Sequence, residues 1–219
     1  VAAGNENGPL TRPADCAGVL AVGAVRHDGL KTYYSNFGAN TGIMAPGGPG
    51  SQDHGPSLYS TSNTGTRGPG EHSYDSKQGT SFASPLAAGV ASLMLSVNPN
   101  LTPAEIVARI QAGARPFPHN PSYPNCSLRA PVNSACNCTA DTCGPGLLDA
   151  ERALQLAFSP AVIIAPAGPV EAGSGVALDG RASSAVGGAR IVSYQWSQVS
   201  GSPVSITDAN RALAGVRLP

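Results

Sequence analysis

Gly79-Thr80-Ser81-Phe82-Ala83-Ser84-Pro85 is the stretch on which the fold turns. A serine stands at a tight turn, and the residues after it switch to helical period: Ala83, Ala87, Gly89 and Ala91 interleave with Leu86, Val90, Leu93 and Met94. The spacing predicts a helix over 81–97 that is apolar on most sides, with small residues that admit close backbone approach, and therefore a buried one. Pro85 fits only near a helix start, where its missing N–H costs little. A hydroxyl in that place lies near the positive end of the helix dipole, beside unpaired backbone N–H groups, and such an arrangement can stabilise an oxyanion in acyl transfer. The same residues fit a plainer role, with Ser81 or Thr80 capping the helix, because serine is among the best N-caps.

Upstream, Val19-Leu-Ala-Val-Gly23 and Ile43-Met-Ala-Pro46 are short apolar runs bounded by turn residues, as expected for buried strands of a parallel sheet. Between Pro46 and Gly79 the chain is polar and Gly-rich, with a predicted hairpin of Leu58–Thr61 against Tyr74–Lys77. Downstream, Thr102-Pro-Ala-Glu105 supplies an N-cap hydroxyl, a proline at the first helical position and an acid three residues after the cap, opening a helix to about Ala114. A last short helix is predicted from Asp149 to Phe158. Strands alternating with helices give an α/β layered domain with a parallel sheet and flanking helices. After Pro160 the helical period disappears. Residues 162–164, 176–178, 193–197 and 204–206 are strand candidates of a small all-β module with Tyr194 and Trp196 facing inward. Four strands are too few for a complete sandwich, which takes around seven. The predicted boundary between the two parts falls at 158/159.

Composition excludes several classes. Thirteen basic and thirteen acidic residues balance to zero net charge, which argues against nucleic-acid and membrane-surface partners. Charged residues make up 12 % of the chain, about half the usual share of ~25 %, and 27 glycines and 20 prolines indicate a compact, loop-rich protein. The longest apolar run, Leu86 to Val97, is twelve residues, short of the ~20 that cross a bilayer. The chain opens on Val1 without a basic and apolar leader pattern, so it is expected to be cut from something longer. Five cysteines stand at 16, 126, 136, 138 and 143, four of them in a polar loop. That favours disulfides, hence secretion, over buried reduced thiols, and the spacing lacks the separated C-x-x-C pairs of a zinc site. An odd count leaves one thiol without a partner in the chain. Of the three pairings open to the last four, the one with Cys136–Cys138 closes an awkward ring, and Cys126 with Cys143, closing the loop before Gly144–Asp149, is the expectation.

Ala2-Ala-Gly-Asn5, Val19–Gly23, Tyr34-Ser-Asn36 with Gly38, Ala45-Pro-Gly47, Gly79–Pro85, Ala88-Gly-Val-Ala91 and Asn100-Leu-Thr102 follow one another in an order and at separations that resemble the C-terminal half of the catalytic domain of a subtilisin-like serine protease, a subtilase of the secreted bacterial type. The resemblance implies that Ser81 is the nucleophile and that Asn5 donates its amide in the oxyanion hole. It also places Ala3, Gly4, Gly79 and Thr80 in substrate binding, and makes polypeptides the substrates. In that family the acid and the base histidine precede the Ala-Ala-Gly-Asn strand, so they are expected upstream of Val1, in the N-terminal half of the same domain. His27, His54, His72 and His119 read as surface residues and not as substitutes. The resemblance further implies that Cys16 pairs with an upstream cysteine. The chemistry requires no cofactor and no metal; structural calcium is common in the family, but no Asp/Asn loop here stands out as its ligands. Residues 159–219 resemble a partial polycystic-kidney-disease-type immunoglobulin-like domain, which implies substrate binding or domain spacing. Two alternatives remain at this point. Gly79–Ala83 is one methyl away from the G-x-S-x-G elbow of esterases, but His119 precedes Asp141 and Asp149, against the order that fold needs. The 219 residues alone read otherwise as a non-catalytic fragment whose autonomous property is the β module.

Overall fold

The computed structural model describes all residues except 50–54, 56, 131–132, 161, 163, 165–168 and 187–188. Strand β1 (Val22–Val25) pairs in parallel with β2 (Ile43–Pro46), in register from Val22 opposite Ile43 to Val25 opposite Pro46. Ala2 bridges in parallel to Val22 on the other side. The first strand begins three residues later than its apolar run predicts, because Ala21 O already receives Gly42 N–H and Ile43 N–H and the ladder proper starts beyond it. Helix α1 (Thr80–Val97) lies on this sheet. Its Ala83, Ala87, Val90 and Met94 are buried with Val22, Ala24, Ile43 and Ala45, and with Ile110, Ala153 and Ala157 from two further helices.

The expectation that α1, apolar on most sides, is a buried helix holds for one face only. Leu86, Leu93 and Leu95 are 41 %, 50 % and 39 % exposed, so one face is packed and the other is open. The twelve-residue apolar run is part of an 18-residue helix of mean hydropathy 1.4, which by length and composition alone is enough to cross a membrane. Its packing against β1, β2 and the last helix gives it the place of a core helix in an α/β layer.

Helix α2 (Pro103–Ala112) starts where predicted: Glu105 N–H donates to Thr102 Oγ1 at 3.3 Å and Thr102 N–H donates to Glu105 Oε2 at 2.9 Å. That capping box satisfies two of the donors a helix start leaves open. Hairpin strands β3 (Leu58–Asn63) and β4 (His72–Lys77) keep the predicted register, with Leu58 opposite Lys77 and Thr61 opposite Tyr74, and stack Tyr59 on Tyr74 at the surface. A one-turn helix α3 (Ala140–Cys143), which no sequence signal announced, precedes α4 (Ala150–Ala157), whose Asp149 cap accepts Arg152 N–H at 2.9 Å.

The expected Cys126–Cys143 pair is also corrected: the disulfides are Cys126–Cys136 and Cys138–Cys143. Segments 124–126 and 136–138 run side by side, with Cys126 N–H on Asn137 O and Asn137 N–H on Pro124 O, which brings Cys136 to Cys126. Cys143, at the end of α3, is left to reach back to Cys138. Cys16 is exposed and free.

Beyond residue 170, β5 (Gly175–Asp179), β6 (Ile206–Thr207) and β7 (Leu213–Arg217) form an antiparallel sheet in the order β5-β7-β6. The predicted 193–197 strand joins no ladder. Trp196 is instead half-buried, donating its backbone N–H to Ala209 O and its indole N–H to Arg211 O, each at 2.8 Å. Ile163, at the middle of the predicted 162–164 strand, lies outside the described residues.

Candidate active site

Three chain segments meet at the head of α1. Gly79 precedes the helix with φ 131° and ψ 157°, a backbone region essentially closed to residues with a side chain. Its N–H is held by Gly47 O at 2.8 Å and by the Tyr34 hydroxyl at 3.0 Å; that hydroxyl lies 2.6 Å from Gly47 O. The segment following β2 is thereby tied to the turn that opens α1. The third segment is the end of the Ala2 strand. Asn5 Oδ1 accepts both Thr80 N–H and Thr80 Oγ1–H at 3.0 Å, and Gly4 N–H donates to Thr80 Oγ1 at 3.2 Å.

These bonds bring the two predicted residues to the same corner of the structure. With its oxygen taken by Thr80, Asn5 has its Nδ2–H groups left to donate, and they meet no acceptor among the described residues. The Ser81 N–H and hydroxyl likewise have no hydrogen-bond partner among them, and Ser81 is exposed. A Cβ placed on Gly79 would lie 3.6 Å from Asn5 Nδ2 and 3.8 Å from Ser81 N, so both donors border one small space that glycine leaves open. Two neutral N–H donors bordering one space can receive a developing oxyanion without a buried countercharge. The plainer reading of Ser81 as a helix cap finds no support, because α1 has no side-chain cap bond.

The other predicted residues are engaged within the chain. Ala3 is buried, with its N–H on Val22 O; Gly4 O accepts Asn36 N–H; Thr80 is fully buried. His27, His72 and His119 are exposed and none bonds to Ser81, while His54 lies outside the described residues. Sequence reasoning missed two residues that shape the site. Asn36 and Tyr34 lie in the quoted Tyr34-Ser-Asn36 segment, but nothing local marks them as braces for residues 4–8 and 79. A surface cavity of about 560 Å³ between β1 and residues 115–118 contains none of the site residues. At its edge burial alone would lower the affinity of Arg26 for its proton, but its bonds to Asp28 and Tyr123 outweigh this and raise it.

Among the described residues the one cluster of three potential metal-ligating side chains is Cys126, Cys138 and Cys143. Those sulfurs are consumed in disulfides, which answers the zinc alternative, and the cluster offers no carboxylate to calcium.

A parallel α/β layer with a serine at the head of its central helix is the arrangement of α/β serine hydrolases as a class. The chain belongs to the subtilase family, whose sequence profile matches residues 1–137. It is 39 % identical over 162 residues to an extracellular protease of Xanthomonas campestris, a match covering 73 % of this chain and 23 % of that one. It is 39 % identical over 112 residues to an extracellular basic protease of Dichelobacter nodosus, covering 48 % of this chain and 17 % of the relative. A solved protease structure from Pseudoalteromonas arctica superposes with a TM-score of 0.56 at 34 % identity, covering 71 % of this chain and 41 % of the other. The chain thus spans about a quarter or less of the length of those two sequence relatives.

Proposed function

We propose that residues 1–158 are the C-terminal half of the catalytic domain of a secreted subtilisin-like serine endopeptidase. The observation that carries the reading is that Asn5 Nδ2 and Ser81 N border one open space at the head of α1. Ser81 Oγ attacks the scissile carbonyl carbon, and its proton passes to a histidine supplied by the upstream half, itself oriented by an upstream acid. The carbonyl oxygen, now negative, receives hydrogen bonds from Asn5 Nδ2 and Ser81 N–H. Collapse expels the amine, which takes the proton from the imidazole, and water releases the acyl group by the same steps. Ala3, Gly4, Gly79 and Thr80 form the floor on which the polypeptide lies. The open face of α1 is where the N-terminal half of the domain packs, and Cys16 pairs with a cysteine there. Relatives named extracellular proteases and two disulfides support secretion. Residues 159–219 are a partial polycystic-kidney-disease-like domain that binds substrate or spaces domains, a reading supported by its antiparallel sheet and half-buried Trp196.

The test is fluorophosphonate labelling of the full-length parent. The label should sit on Ser81 and disappear in Ser81→Ala, while Asn5→Ala should slow peptide hydrolysis by about 2.7–4 kcal/mol of transition-state stabilisation, a range carried over from subtilisin itself. Undiminished hydrolysis by Ser81→Ala would refute the assignment.

A further inference from the structure

We infer that Asn36 is a positioning residue for this reaction: its buried carboxamide holds the 4–8 loop in the shape that aims Asn5 at Ser81. The inference rests on the roles proposed above for those two residues. Asn36 is 1 % exposed, yet every polar group it carries that bonds to the loop is used. Its Oδ1 accepts Glu6 N–H at 2.9 Å and Gly8 N–H at 3.1 Å, and its Nδ2 donates to Glu6 Oε2 at 2.7 Å. Its own backbone N–H donates to Gly4 O at 2.9 Å. The Glu6 carboxylate then accepts Asn5 N–H at 2.9 Å, so Asn36 holds Gly4 through its backbone N–H and Glu6 through its side chain and, by way of a single Glu6 carboxylate oxygen, Asn5 itself.

The polarity of this network is fixed by its members. Two backbone N–H groups require an acceptor and a carboxylate requires a donor, so only one orientation of the Asn36 amide satisfies all three. The fit is tight, since a Cβ on Gly4 would come within 2.3 Å of Asn36 Nδ2. A second route braces the same loop: fully buried Lys31 donates Nζ to Asn7 Oδ1 at 2.9 Å and to the carbonyls of Thr32 and Ser35, the latter adjoining Asn36. Asn5 is exposed, and among the described residues its side chain is anchored at Thr80 alone. Its direction therefore depends on where the backbone of residues 4–6 is held, and a misplacement on the order of 1 Å at a reacting group can cost about 100-fold.

Asn36→Asp in the full-length parent keeps the acceptor for Glu6 and Gly8 but turns a carboxylate oxygen against that of Glu6. The expected result is a kcat on a peptide substrate lower by roughly 10–100-fold with KM little changed. In an Asn5→Ala background the Asn36→Asp change should cost about two-fold or less, because the carboxamide it directs is gone. An equal loss in both backgrounds means a merely structural residue and overturns the inference. Should Asn36→Asp fail to fold, Glu6→Ala at its exposed position removes the link to Asn5 and is carried through the same two backgrounds with the same expectation. Full activity in Ser81→Ala would instead overturn the site itself, whatever Asn36 does.

Discussion

Replacing Gly79 by alanine separates the backbone contribution to the site from its side chains. At φ 131° and ψ 157° an L-residue is strained by about 1–3 kcal/mol. Packing adds almost nothing, because the new Cβ would meet its nearest neighbours, Asn5 Nδ2 and Ser81 N, at 3.6 and 3.8 Å, ordinary van der Waals distances. For a domain of this size each kcal/mol moves the melting temperature by about 2–4 °C, so Gly79→Ala should melt roughly 2–12 °C lower. The functional loss is larger than the strain. The methyl occupies the space between two N–H donors, and denying an oxyanion one such donor slows catalysis by about 10²–10³-fold. Rotating the backbone to escape the strain is no remedy, since it pulls Gly79 N–H from Gly47 O and Thr80 N–H from Asn5 Oδ1. Differential scanning calorimetry of the parent, beside its fluorophosphonate labelling rate well below the melt, reads both effects. A variant that melts as wild type and labels at the wild-type rate would refute the assignment of that space to the oxyanion.

Thr102→Ala should destabilise the fold by about 0.5–2 kcal/mol in denaturant titration, since it removes the hydroxyl that caps α2. The Glu105 carboxyl is held below its usual range, first by the Thr102 N–H it accepts, so its contribution is present above the ordinary glutamate value of about 4.3 and lost as pH falls below it. The stability gap between wild type and Glu105→Gln should accordingly close on acidification; a gap that widens toward low pH would contradict the capping role. Peptide mapping without reduction should yield fragments joined through Cys126–Cys136 and Cys138–Cys143, and a Cys126–Cys143 fragment would refute the geometry of that loop. Deleting the first of these bridges as Cys126→Ser/Cys136→Ser should cost on the order of 2–3 kcal/mol, the loop-closure value for a short loop.

Elements whose signals are local were legible in the sequence. The cap and proline of Thr102-Pro-Ala-Glu105, the short helix after Asp149 and the two arms of the 58–77 hairpin each depend on neighbours within a few positions, and each lies close to where it is read. What failed depends on distant partners. β1 is shifted because its register is set by β2, and the cysteine pairing is set by backbone bonds between segments 124–126 and 136–138. β7 was missed because its central Gly215 breaks the strand pattern, yet it pairs with both β5 and β6. At the site, the turn around Ser81 fits a helix cap as well as a nucleophile, and both Ser81 and Asn5 take their expected roles only from the family pattern. Asn36 has no local signature at all, since its bonds join positions 28 to 32 residues away.

That asymmetry follows from how the site is built. Ala2, β1 and β2 are parallel, so their carboxyl ends open on one side, and loops leaving such ends are where α/β sheets place their chemistry. Asn5 leaves one end and Gly47 another, and the head of α1 is drawn to both by Thr80 and Gly79. None of the three segments can shape the space alone: the strand end brings an amide but not its direction, the helix brings an N–H but not the second donor, and the β2 loop brings only carbonyls. The geometry of the proposed site is thus a property of strand order, and substitutions that disturb Tyr34 or Asn36 should lower kcat before they lower stability.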